Sequence, residues 1–393
     1  MPWPTEVCEF RPQESLKATI SGLGAVDARL GDVLAAHGAV RPMLVCGSNV
    51  RRSESFGRVL GALNAAAFTD PVVFDGVRPH TPAEAVQEGA QQARDSHVDA
   101  LIAVGGSSAV DCGKGIARLV VAGARTVKEL QPLDFGRFDM TGQVRPGALP
   151  FITVTTTLSF AEFLPFWGAR HASLGRKLPY ADDGAVLRTV FLDGLIAEHT
   201  PDEVWAETGV KALDDTIAAF CRVGETDPFR DAIDISALAQ LCHWLPRSLG
   251  KDRAAERQQV FTAAWMTKFA LPRLARPVLG PWFSTAARHA LGATYELAHG
   301  IGSCVALPLA IRKHAEATRD RQRQLAEALG WPAGDPPLEP GLTALLDALG
   351  VPRSLRQIGI DISGLDAVVD RIMEEAPQLG SREELRGLCN ELW

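Results

Sequence analysis

Ala103-Val-Gly-Gly-Ser-Ser-Ala-Val-Asp111-Cys-Gly-Lys114-Gly-Ile-Ala117 carries the reading of the fold. It closes an apolar run, Val98 to Val104, that reads as a buried strand, and it passes through Gly105-Gly106-Ser107-Ser108 into an apolar-periodic segment. The pattern is strand, tight glycine turn, helix. Such a turn lets backbone approach a phosphate closely, and the free N–H groups of the first helical turn bind the anion. Ser108 is placed to cap the helix, with Asp111 three residues on as in a capping box. Lys114 lies one turn later, within reach of a phosphate. A plain strand–helix turn of an α/β protein shares part of this pattern; position, capping and lysine together favour nucleotide binding.

Working outward, residues 1–200 alternate strand-like and helix-like segments. Met43–Cys46, Val72–Phe74, Pro150–Val154 and Thr189–Asp193 read as further strands. Thr81-Pro82-Ala83-Glu84 marks a helix start, with a cap, a proline at the first position and a glutamate at the third; the helix runs to about Ser96. Thr200-Pro201-Asp202-Glu203 is a second start of the same kind, and beyond it strand signals almost vanish. The remainder reads as successive helices, broken around Gly224–Pro228, Leu271–Pro281 and Gly330–Pro340. The expected architecture is an α/β domain with a parallel sheet covered on both faces, residues 1–197, followed by an all-helical domain, residues 198–393.

The 393 residues suffice for two cores, and 46% hydrophobic with 22% charged residues is an ordinary globular balance. A net charge of −7 with scattered lysines and arginines argues against nucleic acid as a partner. No apolar run reaches the length of a membrane span, and Met1-Pro-Trp-Pro-Thr-Glu6 has neither the basic start nor the apolar core of a signal peptide. The seven cysteines are dispersed, odd in number and without a Cys-x-x-Cys pair, as expected of reduced thiols in a cytoplasmic protein.

Several stretches together resemble the iron-containing (group III) alcohol dehydrogenase superfamily, and within it the maleylacetate reductase branch. Ile20-Ser-Gly-Leu-Gly-Ala25 is similar to the N-terminal glycine signature of that family, and Gly105–Lys114 to its pyrophosphate loop, with Ser107 in place of a third glycine. Thr155-Thr-Thr-Leu-Ser-Phe-Ala-Glu162 resembles the reductase branch without its leading proline. Phe166-Trp167-Gly168, Gly175-Arg176-Lys177, Leu187-Arg188-Thr189-Val190, Gly209-Val-Lys-Ala-Leu-Asp-Asp215 and His289-Ala-Leu-Gly-Ala-Thr-Tyr-Glu-Leu-Ala-His299-Gly300 extend the resemblance over nearly the whole chain. It implies a dehydroquinate synthase-like arrangement, with a nucleotide-binding domain, a helical domain and an active site in the cleft between them. It also implies a homodimer acting on a small molecule.

Metal-dependent members hold a divalent ion with four side chains, two of them an aspartate and a histidine four residues apart on one helix face. The resemblance places Lys211 and Asp215 at those two positions, Thr285 at the third, and His299 at the fourth. A lysine ammonium has no lone pair and repels a cation. The usual iron or zinc site is therefore expected to be absent. The reductase branch keeps a histidine where Asp215 stands, so this chain departs from that branch as well. The alternative is a rearranged three-ligand site from Asp215, His289 and His299.

Hydride transfer needs an electrophile on the developing negative charge, and Lys211 would supply it, fixed by a pair with Asp215 one turn away. The bland alternative for that pair is an i,i+4 ion pair on a solvated face. His299 is expected to be catalytic or substrate-binding, and His289 to face substrate or cofactor. The other histidines, His80 among them, are read as structural. The family likeness puts Thr155, Thr156, Thr157 and Ser159 beside the cofactor and Lys177 near its ribose; Arg176, Lys177 or Arg188 would also suit a substrate carboxylate. Phe163, Trp167, Tyr295 and Thr285 are the candidate substrate wall, with core the alternative for Phe163 and Trp167. The turn Gly47-Ser48-Asn49-Val50-Arg51-Arg52 has no acid for a ribose 2′-hydroxyl and two arginines for a 2′-phosphate, which favours NADP over NAD. The expected activity is a metal-independent NAD(P)-dependent oxidoreductase acting on a small carbonyl, alcohol or enoate. A lyase, cyclase or oxidative decarboxylase on the same fold is one alternative, and a non-catalytic cofactor-binding protein is another.

Overall fold

The computed structural model describes residues 14–134, 144–221, 228–269 and 282–393. The described residues form eight strands: β1 (Leu16–Ser21), β2 (Pro42–Gly47), β3 (Val72–Val77), β4 (Ala100–Gly105), β5 (Leu149–Thr155), β6 (Phe166–His171), β7 (Arg176–Ala181) and β8 (Val186–Leu192). Side-chain alternation explains the sheet. In β2, Met43 and Val45 pack with Leu101, Ala103 and Phe151 on one face; Leu44 and Cys46 pack with Ile102, Val104 and Ile152 on the other. A strand apolar on both faces needs cover on both.

Helices α1 (Ala25–Ala36), α2 (Ser48–Arg51), α3 (Glu54–Ala65), α4 (Ala83–Asp95) and α5 (Ser107–Ala122) provide it. Val26, Leu30, Phe56 and Val59 of α1 and α3 cover one face, and Val86, Ala90, Val110 and Ile116 of α4 and α5 the other. The six sheet strands pair in parallel in the order β1-β8-β5-β4-β2-β3. The sheet confirms the five strands expected from sequence and adds β1. The hairpin β6–β7 is a second addition. Its sequence is rich in Arg, Lys, Gly and Pro because only one face is buried, where Trp167 stacks on Tyr180 at 4.9 Å between ring centroids.

The capping expectations need correction. Helix α5 begins two residues earlier than expected, with Gly106 as its N-cap and no side-chain cap, so Ser108 and Asp111 form no capping box. Pro82 and Pro201 are themselves the N-cap residues of α4 and the next long helix, rather than their first helical residues. The preceding threonines serve distant backbone: Thr81 Oγ1 donates to the Ser108 carbonyl (3.4 Å) and Thr200 Oγ1 to that of Thr156 (2.8 Å).

From residue 194 onward the described chain is helical: α6 (Gly194–Ala197), α7 (Asp202–Phe220), α8 (Pro228–Trp244), α9 (Ala254–Phe269), α10 (Phe283–Tyr295), α11 (His299–Lys313), α12 (Ala315–Ala328), α13 (Glu339–Leu349), α14 (Leu365–Glu375) and α15 (Arg382–Asn390), with short 3-10 turns between. The helical breaks expected at Gly224–Pro228 and Leu271–Pro281 lie outside the described residues, except Pro228, which opens α8. One apolar core joins these helices. Trp205 of α7 is fully buried, its ring edge-on to Phe261 of α9 at 5.1 Å, and its Nε1 donates to Ser248 Oγ (2.9 Å). No described helix is long and apolar enough to cross a membrane.

Candidate active site

The carboxyl ends of β2 and β4 adjoin at the point where successive connections leave the sheet in opposite directions, the place where doubly wound sheets bind ligands. Gly105 has φ +140°, a conformation that favours glycine, and α5 starts two residues later. A Cβ on Gly106 would lie 2.9 Å from Thr157 Oγ1, so the turn fits only without side chains. The first N–H groups of α5, from Ser107 and Ser108, have no partner within the helix and face outward from its N-terminus. Gly47, Ser48 and Asn49 open α2 beside this turn. Arg52 donates to Asn49 Oδ1 (3.3 Å), and the Arg51 guanidinium lies 4.6 Å above the Phe56 ring. These residues present a glycine cradle and two basic groups that fit a nucleotide diphosphate with a nearby phosphate.

Several expected site residues prove to be structural. Lys114 is fully buried, and Nζ donates to the carbonyls of Ala161 (2.6 Å), Leu164 (2.5 Å) and Phe166 (3.1 Å). It faces away from the phosphate turn because the polar backbone under the β6–β7 hairpin claims all its donors. Thr155 points inward, its hydroxyl donating to Glu162 at 2.5 Å. Arg188 belongs to a buried strand, and donates to the Glu162 carbonyl (3.0 Å) and Ser15 Oγ (2.5 Å). Phe163 and Trp167 are core. Tyr295 donates to the Asp361 carbonyl (3.1 Å) and packs against Trp393, so it staples the helical domain rather than forming a substrate wall. Lys177 remains half-exposed on β7, paired with Asp111 of α5 at 2.7 Å. Thr156 is buried beside the turn, and Thr157 and Ser159 share a hydroxyl contact (3.0 Å).

Helix α7 carries the decisive pair. Lys211 Nζ donates to Asp215 Oδ2 at 2.8 Å, as their i,i+4 spacing predicted. Asp215 is gripped from two other helices as well: Lys268 of α9 lies 3.4 Å from Oδ2, and Arg288 of α10 donates to Oδ1 at 2.6 Å. Burial alone would raise the Asp215 pKa, but Arg288, Lys211 and Lys268 together hold it well below the carboxylate range. Neighbouring Asp214 is fully buried and accepts from Ser284 (2.5 Å), Ser303 (2.7 Å) and Arg288 (3.1 Å). Burial drives its pKa up, and that of Lys268 down to about 8. Both oxygens of Asp215 are thus engaged by cations. Lys211 offers no lone pair, and Thr285 stands half-buried on α10. Among the described residues Asp215, His289 and His299 assemble into no three-ligand group. The site thus offers one carboxylate already held by three cations, with two imidazoles nearby.

His299 opens α11 beside this cluster. Gly300 lets α11 rest on α7, since a Cβ there would fall 2.8 Å from the Glu207 backbone. The His289 ring lies 5.3 Å from that of His299, and its Nδ1 donates to Glu375 (2.7 Å). Burial, then His289, Arg288, Lys177 and Lys211, push the His299 pKa well below the histidine range. Lys177 lies on β7, and Lys211, Arg288 and His289 lie on α7 and α10.

Lys268, Arg288 and Glu207 escaped the sequence reading. The signal for Lys268 was a lone lysine seven residues after Phe261 on the buried stripe of an apolar helix. Glu207, one turn before Lys211, has a pKa raised to about 7 by burial and then by Glu203. His80, read as structural, donates through Nε2 to the Glu296 carbonyl (2.9 Å), and Arg170 pairs with the Glu296 carboxylate. Two points of the sheet domain thereby grip the turn that leads into His299.

Comparison with known proteins agrees with this architecture. Residues 17–194 match the family described as iron-containing alcohol dehydrogenase, and residues 205–386 match its C-terminal part. The chain is similar to lactaldehyde reductase of Escherichia coli (strain K12), 24% identical, covering 95% of this chain and 97% of that one. It is 26% identical to the NADPH-dependent butanol dehydrogenase of Clostridium saccharobutylicum, covering 86% and 85%. Its fold superposes on maleylacetate reductase from Agrobacterium tumefaciens with a TM-score of 0.75 at 19% identity, covering 100% and 98%. The chain belongs to the iron-containing alcohol dehydrogenase family of oxidoreductases.

Proposed function

We propose that this oxidoreductase moves a hydride between NADP(H) and a small carbonyl, alcohol or enoate bearing an acidic group, with Lys211 in the place of a metal ion. The reading puts it in the maleylacetate reductase-like branch. The observation that carries it is the contact of Lys211 with Asp215, in a cluster where three cations face one carboxylate. The cofactor, when bound, supplies or accepts the hydride. Gly105, Gly106, Ser107 and Ser108 would hold its diphosphate, Arg51 and Arg52 a 2′-phosphate, and Lys177 a ribose.

The residues then divide the remaining work. Asp215 fixes Lys211, whose ammonium stabilises negative charge developing on the substrate oxygen and can release a proton to it. Burial first, and then the surrounding cations, favour the neutral form of His299, which offers a hydrogen bond without competing for that charge. The same cations, Lys177, Lys211 and Arg288, favour an anionic substrate.

The direct test combines metal content with cofactor titration. Chelator-treated protein should turn over a screen of small oxo acids, hydroxy acids and enoates at an undiminished rate, and NADPH should bind more tightly than NADH. Stoichiometric iron or zinc required for activity would overturn the metal-free reading, and tighter NADH binding would overturn the cofactor assignment. Nucleotide binding without turnover across the screen would favour a non-catalytic protein.

A further inference from the structure

Lys114 is the largest investment of buried charge near the glycine turn that the reaction itself does not use. An ammonium has three donors, and here each meets a backbone carbonyl, those of Ala161, Leu164 and Phe166. Desolvating a cation is costly unless its hydrogen bonds are replaced in full. Arg188, Asp111, Asp182 and Glu162 are the charged groups around it, and only the three carboxylates favour its charge.

The three carbonyls share one segment, the strap from Thr156 to Phe166. At its start, Thr156 N donates to the Gly105 carbonyl (3.1 Å), and Thr157 fills the space over Gly106. Midway, Leu158 N donates to Thr208 Oγ1 (3.2 Å), one helical turn before Lys211, and the Phe160 ring meets Phe261 at 6.4 Å. The strap therefore runs from the cofactor turn across to the helix of Lys211. Its near end is tied to the sheet, and Lys114 ties the far end.

We infer that Lys114 is a positioning residue, a clamp on the 156–166 strap that sets the spacing between the nucleotide turn and Lys211. It binds no phosphate. This rests on the reading of Gly105–Ser108 as a nucleotide turn. Removing the clamp leaves the turn intact and loosens the wall where the nicotinamide end must seat.

The test compares two probes on the whole protein. ADP, measured by calorimetry, reports the turn alone; NADPH, with NADH in parallel, also reports nicotinamide seating through the fluorescence of the bound reduced ring. For Lys114→Met, ADP affinity should stay within about twofold, while reduced cofactor binding weakens about tenfold and its fluorescence enhancement is lost. Lys114→Arg keeps the charge with displaced donors and should show the same split at about three- to fivefold, so it decides the matter if the Met variant does not fold. Parallel weakening of ADP and NADPH would make Lys114 a phosphate ligand, and no change in either would make it a passive core residue; both overturn the inference. Wild-type protein that binds neither probe would instead defeat the proposed function.

Discussion

Lys211→Met isolates the role of the charge, because methionine nearly matches the lysine stem in length. The substitution removes the 2.8 Å bond to Asp215, but Arg288 at 2.6 Å and Lys268 at 3.4 Å remain, so the carboxylate is not orphaned. A charge-assisted hydrogen bond is worth about 1.5–3 kcal/mol, and the two remaining partners should reduce the loss to about 1 kcal/mol. For a chain of 393 residues that is a fall in Tm of about 1 °C. The effect on catalysis should be far larger. Removing one preorganised donor from a developing oxyanion costs about 2.7–4 kcal/mol, a fall in kcat on the order of 10²–10³. The assay pairs cofactor-linked turnover with thermal melting and NADPH titration, and NADPH affinity should hold. Turnover within about threefold of wild type would show that the Lys211–Asp215 pair is only a structural ion pair and refute the mechanism.

Three further outcomes follow from the same geometry. Glu207, raised to about 7 by burial and Glu203, costs stability once ionised: folding is favoured below its unfolded pKa, and that contribution is lost as pH rises through 7. Glu207→Gln should therefore melt higher than wild type at pH 8, with the gap closing by pH 5, and an equal gap at both would refute the shift. Glu296→Ala removes an exposed pair with Arg170 worth at most about 1 kcal/mol, yet should cut turnover about three- to tenfold by freeing the turn before His299; unchanged turnover would show that the grip is incidental. Replacing Arg51 and Arg52 together by Ala should weaken NADPH about tenfold and leave NADH unaffected, and equal losses for both would place the arginines away from the 2′-phosphate.

Local pattern determined much of this molecule. Two-residue alternation in Met43–Cys46 and the apolar run ending at Val104 are physically compatible only with strands covered on both faces, and Gly105 admits a backbone angle that other residues avoid. The four-residue spacing of Lys211 and Asp215 dictates that they meet on one helix face. Tertiary structure decided where long polar side chains spend their hydrogen bonds. Lys114 follows a phosphate-binding pattern in sequence, but it turns under the sheet because three carbonyls of a distant strap lie there and a buried ammonium must satisfy every donor. Lys268 and Arg288 sit 53 and 73 residues from Asp215, and only helix packing brings them to its two oxygens. Spacing along one element is a local property of the chain, whereas the field at a site sums charges from every element folded against it.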